Sequence, residues 1–202
     1  MGVLRVGLTG GLGAGKSTVG RALAARGALV VDTDQVARDV LAPGSDGERA
    51  VLDRFGPSVA SPEGTLDRRA LAAAVFAGPA SRMALEDITH PLIEQEVARR
   101  VARCPDGIVV IEIPLLNRER RSRYGLDVVV LIEAPEELAI ERAVRQRGMS
   151  EGDVRARLAA QPALAERRGA ADRVVVNAGP RAELEAAVDE LWGWLARLAQ
   201  AG

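Results

Sequence analysis

Apolar runs of strand length alternate with longer Ala-, Leu- and Arg-rich stretches along the 202 residues of this chain. Residues 5–9, 28–31, 108–113, 126–132 and 172–177 are short and apolar, and each reads as a strand. The run Ile108-Val109-Val110-Ile111-Glu112-Ile113 is almost continuously apolar, as in a strand covered on both faces. The stretches between have helical character. A helix is expected over 19–26, ended by Gly27, and another over 35–41. Further helices are expected over 48–55, over 68–76 with Asp67 as its cap, and over 81–89. One over 91–103 would carry Pro91 in its first turn. Residues 135–146 form a helix stopped by Gly148, and 150–160 another, opened by Ser150 and Asp153 as a capping pair. The last helix, 181–199, lines up Leu184, Val188, Leu191, Leu195 and Leu198 on one face. No alternating strand pattern occurs between 47 and 104. The pattern predicts an α/β protein: a parallel five-stranded sheet with helices on both faces, and a helical insertion between its second and third strands.

The junction of the first strand and first helix carries the chemistry. Gly10-Gly11-Leu12-Gly13-Ala14-Gly15-Lys16-Ser17-Thr18 fits G-x-x-x-x-G-K-[ST], the phosphate-binding P-loop, and has the strand and helix that motif needs on either side. The glycines let successive backbone N–H groups approach phosphate oxygens, and the helix points its positive end at the same anion. Gly11, Gly13, Ala14, Gly15 and Thr18 are therefore assigned to ATP binding. Lys16 would reach the β- and γ-phosphates, and the Ser17 hydroxyl would hold Mg²⁺. Of 27 basic side chains Lys16 is the single lysine; the rest are arginine. Where the motif needs a compact ammonium on a flexible stem, an Arg-rich composition still supplies one.

Other candidates gather at the same sheet edge. Asp32 and Asp34 follow the second strand at i and i+2, where ligands bind in open α/β sheets. They either approach the γ-phosphate, its Mg²⁺ or the acceptor, or they cap the next helix. Glu112 is either a Walker-B-type acid near Mg²⁺ or a strand-end carboxylate facing solvent. The loop after Asn177 returns to this edge, in reach of the ATP base. Arg142, Arg145, Arg147, Arg155 and Arg157 cluster on a helix–turn–helix. They are either a solvated face balanced by acids or part of a lid that lends an Arg to phosphoryl transfer. The lone His90 is a packing residue or a donor to substrate, and it lacks the partners of a metal site. The expected organisation is a nucleotide-binding core of 1–46 with 105–135 and 170–202, a helical acceptor domain of 47–104 and a lid of 136–169.

Composition narrows the partners. A hydrophobic content of 48% supports a full core. The net charge of −1 and 2% aromatic residues argue against a nucleic-acid binder. Cys104 is the one cysteine, so no intrachain disulfide or Cys-based zinc cluster can form. No apolar run has the ~20 residues of a membrane helix, and no secretion signal is read at the start of the sequence. A cytoplasmic monomer acting on small molecules is expected, with no nucleic acid and no membrane as partner.

The motifs together resemble the dephospho-coenzyme A kinase family. The matching stretches are Gly7 to Thr18, Asp32-Thr33-Asp34 with Ala37-Arg38, Phe55-Gly56, Gly64 to Arg68, Leu71, Phe76, His90-Pro91 and Pro114-Leu115-Leu116. They continue with Glu141-Arg142, Arg147, Arg157, Gln161, Ala171-Asp172 and Asn177. The resemblance implies a P-loop NTPase-type core with a helical acceptor domain and a lid. It implies ATP-dependent phosphorylation of the ribose 3′-hydroxyl of dephospho-coenzyme A, giving coenzyme A and ADP. It makes Asp34 the general base, has Asp32 orient either Asp34 or a water on Mg²⁺, and turns Arg142 toward the ATP phosphates. It places Thr9, Arg68, His90, Leu115, Leu116 and Gln161 along the acceptor. One position departs: the family commonly carries Glu two residues after Pro-Leu-Leu, where this chain has Arg118 followed by Glu119. Another small-metabolite or nucleoside monophosphate kinase would share the core. A GTPase would need Asn-Lys-x-Asp, which a chain whose single Lys is Lys16 cannot contain. A pure ATP-binding regulator would not need the Asp32–Asp34 pair.

Overall fold

The computed structural model describes residues 2–201, with the backbone alone for Arg118 and Arg147. The strands are β1 (Val3–Gly10), β2 (Leu29–Asp32), β3 (Gly107–Glu112), β4 (Val128–Glu133) and β5 (Arg173–Val176). The helices are α1 (Lys16–Ala25), α2 (Thr33–Asp39), α3 (Asp46–Phe55), α4 (Arg68–Phe76), α5 (Pro79–Val101), α6 (Arg118–Arg123), α7 (Glu136–Arg147), α8 (Glu151–Ala159), α9 (Leu164–Gly169) and α10 (Arg181–Ala201). They form two compact units, Met1–Asp32 with Val101–Gly202, and Thr33–Arg100.

The first unit is built on one five-stranded sheet in the order β2-β3-β1-β4-β5, all pairs parallel. The chain leaves β1 toward β2 on one side and leaves β4 toward β5 on the other. Adjacent β1 and β4 therefore make a topological switch point, and the crevice beyond their carboxyl ends is where such sheets bind ligands. Val6, Leu8, Val110, Val130 and Ile132 pack with Val19 and Leu23 of α1 and with Leu184, Val188, Leu191 and Leu195 of α10. Val109, Ile111, Val129 and Leu131 point to the opposite face and are also fully buried, so the sheet is covered on both sides. Each such side chain contributes about 1.5–3 kcal/mol. No helix among the described residues is long and apolar enough to cross a membrane.

The second unit is helical and centres on Val51, Val59 and Leu71. The α3 helix begins at Asp46, earlier than its apolar pattern suggests, because Ser45 caps it by accepting from Glu48 N at 3.0 Å. Asp67 caps α4 as expected, accepting from Arg69 N and Ala70 N. This unit starts at Thr33, whereas the sequence reading leaves residues up to 46 with the core. The reason is α2: Arg68 donates to the carbonyls of Arg38 (3.1 Å) and Leu41 (3.3 Å), and Arg100 pairs with Asp39 at 2.6 Å.

The expected break at Pro91 does not occur; α5 runs through it as one helix. Proline removes the N–H that Asp87 would have accepted from, ordinarily a cost of about 3 kcal/mol. Asp87 and Pro91 lie on the exposed side, where water can serve that carbonyl, while Leu85 and Ile88 before the proline pack on the Val51, Val59 and Leu71 cluster and Val97 and Val101 after it are buried. Two short helices carry no apolar stripe that would have revealed them. They are α6, capped by Asn117, and α9.

Candidate active site

The loop between β1 and α1 is shaped by what touches it. Gly13 and Gly15 hold φ of 73° and 94°, values that other residues reach only with strain. A side chain at Gly13 would overlap the Ala139 carbonyl of α7, and one at Gly15 would overlap the Asn177 amide. Asn177, just past β5 and buried, donates from Nδ2 to the Ala14 carbonyl at 2.9 Å. Arg142 of α7 donates in turn to Asn177 O (3.1 Å) and Oδ1 (3.3 Å). Arg142, Asn177 and Ala14 thus form a chain of hydrogen bonds that braces the loop from outside. Ser17 and Thr18 are exposed at the start of α1.

Lys16 Nζ lies 2.6 Å from Glu112 Oε2, and both side chains are largely shielded from water. Of the two readings of Glu112, the solvent-facing one does not hold. Glu112 is 4% exposed and its carboxylate points beneath the P-loop helix. It fits there because residue 20 of α1 is glycine, and a side chain at Gly20 would overlap Glu112 Oε1. Asp32 is the register partner of Glu112 across β2 and β3, so both carboxylates stand side by side at the carboxyl edge. Among the described residues no group of three or more His, Cys, Asp or Glu could hold a metal ion.

On the other side of β1, Thr9 is buried and donates to the Pro114 carbonyl at 3.4 Å. Thr9, Leu115, Leu116, Pro162 and Arg167 line a small cavity; Leu116 is buried and Leu115 is 42% exposed. Gln161 and Arg167 both reach over Gly11. Arg167 escaped the sequence reading, and the basic pair Arg167-Arg168 was the only available signal. Arg168 is accounted for by an ion pair with buried Glu133 at 2.7 Å.

Of the arginine cluster, Arg142 turns to the loop. Arg145 pairs with Glu141, and Arg155 with Glu136, Glu137 and Glu151. Arg157 is exposed. The side chains of Arg147 and of the divergent Arg118 lie outside the described residues. In the helical unit, Asp34 is exposed in the first turn of α2, His90 is half-buried on α5, and Arg68 caps the end of α2.

This fold and loop define a P-loop protein that binds a nucleoside triphosphate. The profile of the dephospho-CoA kinase family (CoaE) matches residues 4–183. The chain belongs to the dephospho-CoA kinase family. It is 51% identical to a dephospho-CoA kinase of Frankia casuarinae, over 93% of this chain and 81% of that one. It is 47% identical to the one of Methylococcus capsulatus, over 94% and 95%. The crystal structure of TT1252 from Thermus thermophilus is similar throughout, with a TM-score of 0.83 and 33% identity over 96% of this chain and 99% of that chain.

Proposed function

We propose that the enzyme transfers the γ-phosphoryl group of ATP to the ribose 3′-hydroxyl of dephospho-coenzyme A, yielding coenzyme A and ADP. The observation that carries this reading is a braced P-loop, with Lys16 at its end, in a chain of this family. The N–H groups between Gly11 and Thr18 take the phosphates, and Lys16 leaves Glu112 to meet the β- and γ-oxygens. Arg142 and Asn177 hold the loop in the shape that ATP binds. Asp34 accepts the proton of the attacking hydroxyl. Thr9, Leu115, Leu116 and Gln161 bind the acceptor from the sheet unit. Arg68 and His90 are acceptor-binding residues of the helical unit.

The donor set at the carboxyl edge fits Mg²⁺. The Ser17 hydroxyl and the neighbouring Asp32 and Glu112 carboxylates are hard oxygen ligands, and nucleotide phosphates supply the rest of such a shell. Ser17 would ligate the ion directly and Asp32 through water. When bound, Mg²⁺ neutralises charge on the β- and γ-phosphates.

The test is ATP consumption by the purified protein with Mg²⁺, with and without dephospho-coenzyme A, following the product by mass. A gain of one phosphate on the acceptor is expected. Turnover with adenosine monophosphate or another small acceptor, and none with dephospho-coenzyme A, would overturn the assignment.

A further inference from the structure

We infer that Arg167 is a catalytic residue, the guanidinium that grips the phosphoryl group as it passes from ATP to the acceptor. The inference rests on the kinase reading above and adds a residue to it.

The first argument is the charge. An arginine stays protonated in any protein setting. Arg167 is half-buried, and its Nε is shielded from water with no hydrogen-bond partner among the described residues. Its neighbours are accounted for: Arg168 by Glu133, Arg142 by Asn177. A donor held out of water without an acceptor is rare in folded proteins and costly to maintain. Nothing in the fold explains this one, since α9 would form as well with the side chain in solvent. An anion arriving at the site would.

The second argument is place. A methyl group set on Gly11 would lie 3.1 Å from Arg167 Nη1 and 3.0 Å from Gln161 Oε1. Both groups therefore press on the P-loop at a residue that has no side chain to keep them away. In this motif the residues between the first glycine and the lysine wrap the β- and γ-phosphates. The Gln161 Oε1 is also buried without a partner, and its amide can turn its NH₂ toward an anion. The same Arg167 lines the cavity of Thr9, Pro114, Leu115 and Leu116. It thus touches the phosphate loop on one side and the proposed acceptor wall on the other, all within the sheet unit.

In the step, the bond from the γ-phosphorus to the β–γ bridging oxygen breaks, and ADP keeps that electron pair. The acceptor hydroxyl oxygen forms the new bond to phosphorus and gives its proton to Asp34. Arg167 takes neither proton nor electrons. Its planar fork matches two equatorial oxygens of the moving group, where charge is spread in a loose transition state. Arg142 is a positioning residue by comparison, spent on Asn177.

The experiment compares wild type with Arg167→Ala and Arg167→Lys, each checked for folding by thermal melt. Arg167→Ala should lose about 10³-fold in kcat, as removal of such arginines does. Millimolar guanidinium ion should restore part of that loss. The triphosphate analogue with a β,γ-imido bridge should bind about tenfold more weakly, with ADP binding unchanged. A kcat within threefold of wild type, or a loss without guanidinium rescue, overturns the inference. If Arg167→Ala does not fold, Arg167→Lys decides by the same comparison of triphosphate with ADP; equal effects on both overturn it. Should wild type fail to phosphorylate dephospho-coenzyme A, the functional assignment falls. Arg167 is then judged by the triphosphate and ADP affinities alone.

Discussion

Lys16 of the P-loop rests 2.6 Å from Glu112 of β3, in a slot that exists because residue 20 has no side chain. The ammonium proposed to meet phosphate is thereby held at the loop by a carboxylate. A buried pair of this kind contributes modest net stability, but removing Glu112 takes from the shielded Lys16 ammonium the carboxylate that compensates it.

Gly20→Ala tests that slot. In an ordinary helix interior the change would stabilise by about 1 kcal/mol. Here the added methyl group meets Glu112 Oε1, and the carboxylate must move. A loss of about 1–3 kcal/mol in thermal or urea unfolding is expected. Weaker ATP binding in a calorimetric titration should accompany it. A variant more stable than wild type would show that Glu112 is not confined by α1.

Asn177→Ala removes the amide that donates to Ala14 and that receives Arg142. Stability should fall by about 1–2 kcal/mol. ATP affinity should fall about tenfold, or roughly 1.4 kcal/mol. The double variant with Arg142→Ala should lose less than the sum of the single effects, because both act on one chain of hydrogen bonds. Additive losses would separate the two residues.

Asp34→Asn should keep ATP binding and lose about 10²-fold or more in turnover, the usual worth of a positioned base. Wild-type rates in that variant would remove Asp34 from the base role.

Acid should loosen the helical unit in a specific way. Arg99 and Arg100 beside Glu96 hold its carboxyl down at about 2. The amides of Leu66 and Gly44 lower Glu48, and Arg100 lowers Asp39. Carboxyls depressed in the folded state stabilise it above their unfolded value of about 4.3, and that contribution is lost as pH falls toward the folded value. Helical content followed from pH 5 to pH 2 should decline. Glu96→Gln should flatten the lower part of that curve. An unchanged curve in Glu96→Gln would assign the decline to other carboxyls.

Much of the fold was legible because its signals are local. The five apolar runs became the five strands, and Asp67 with the apolar spacing after it gave α4. The P-loop and its flanks are contiguous, so the motif alone placed Lys16 and Ser17. What the sequence hid depends on distant neighbours. Gly20 reads as a weak helix residue until Glu112 is seen beneath it. Glu112 stayed ambiguous because nothing near it in the chain names Lys16. Arg167 had no helical stripe to place it, and only the return of the chain over Gly11 gives it meaning. At Pro91 a sound local rule met a helix with buried side chains both before and after the proline, and tertiary packing prevailed.

The composition that leaves Lys16 as the one lysine also makes the nucleotide loop the one target for lysine acylation in this chain. An acetyl group there would cancel the charge, break the pair with Glu112 and fill the space proposed for phosphate. Among side chains, reagents that acylate amines will therefore report on a single address, which a peptide map separates from the chain's α-amino group, and their rate there is expected to fall when nucleotide is bound. The wild-type protein carries its own occupancy probe, with no engineered label required.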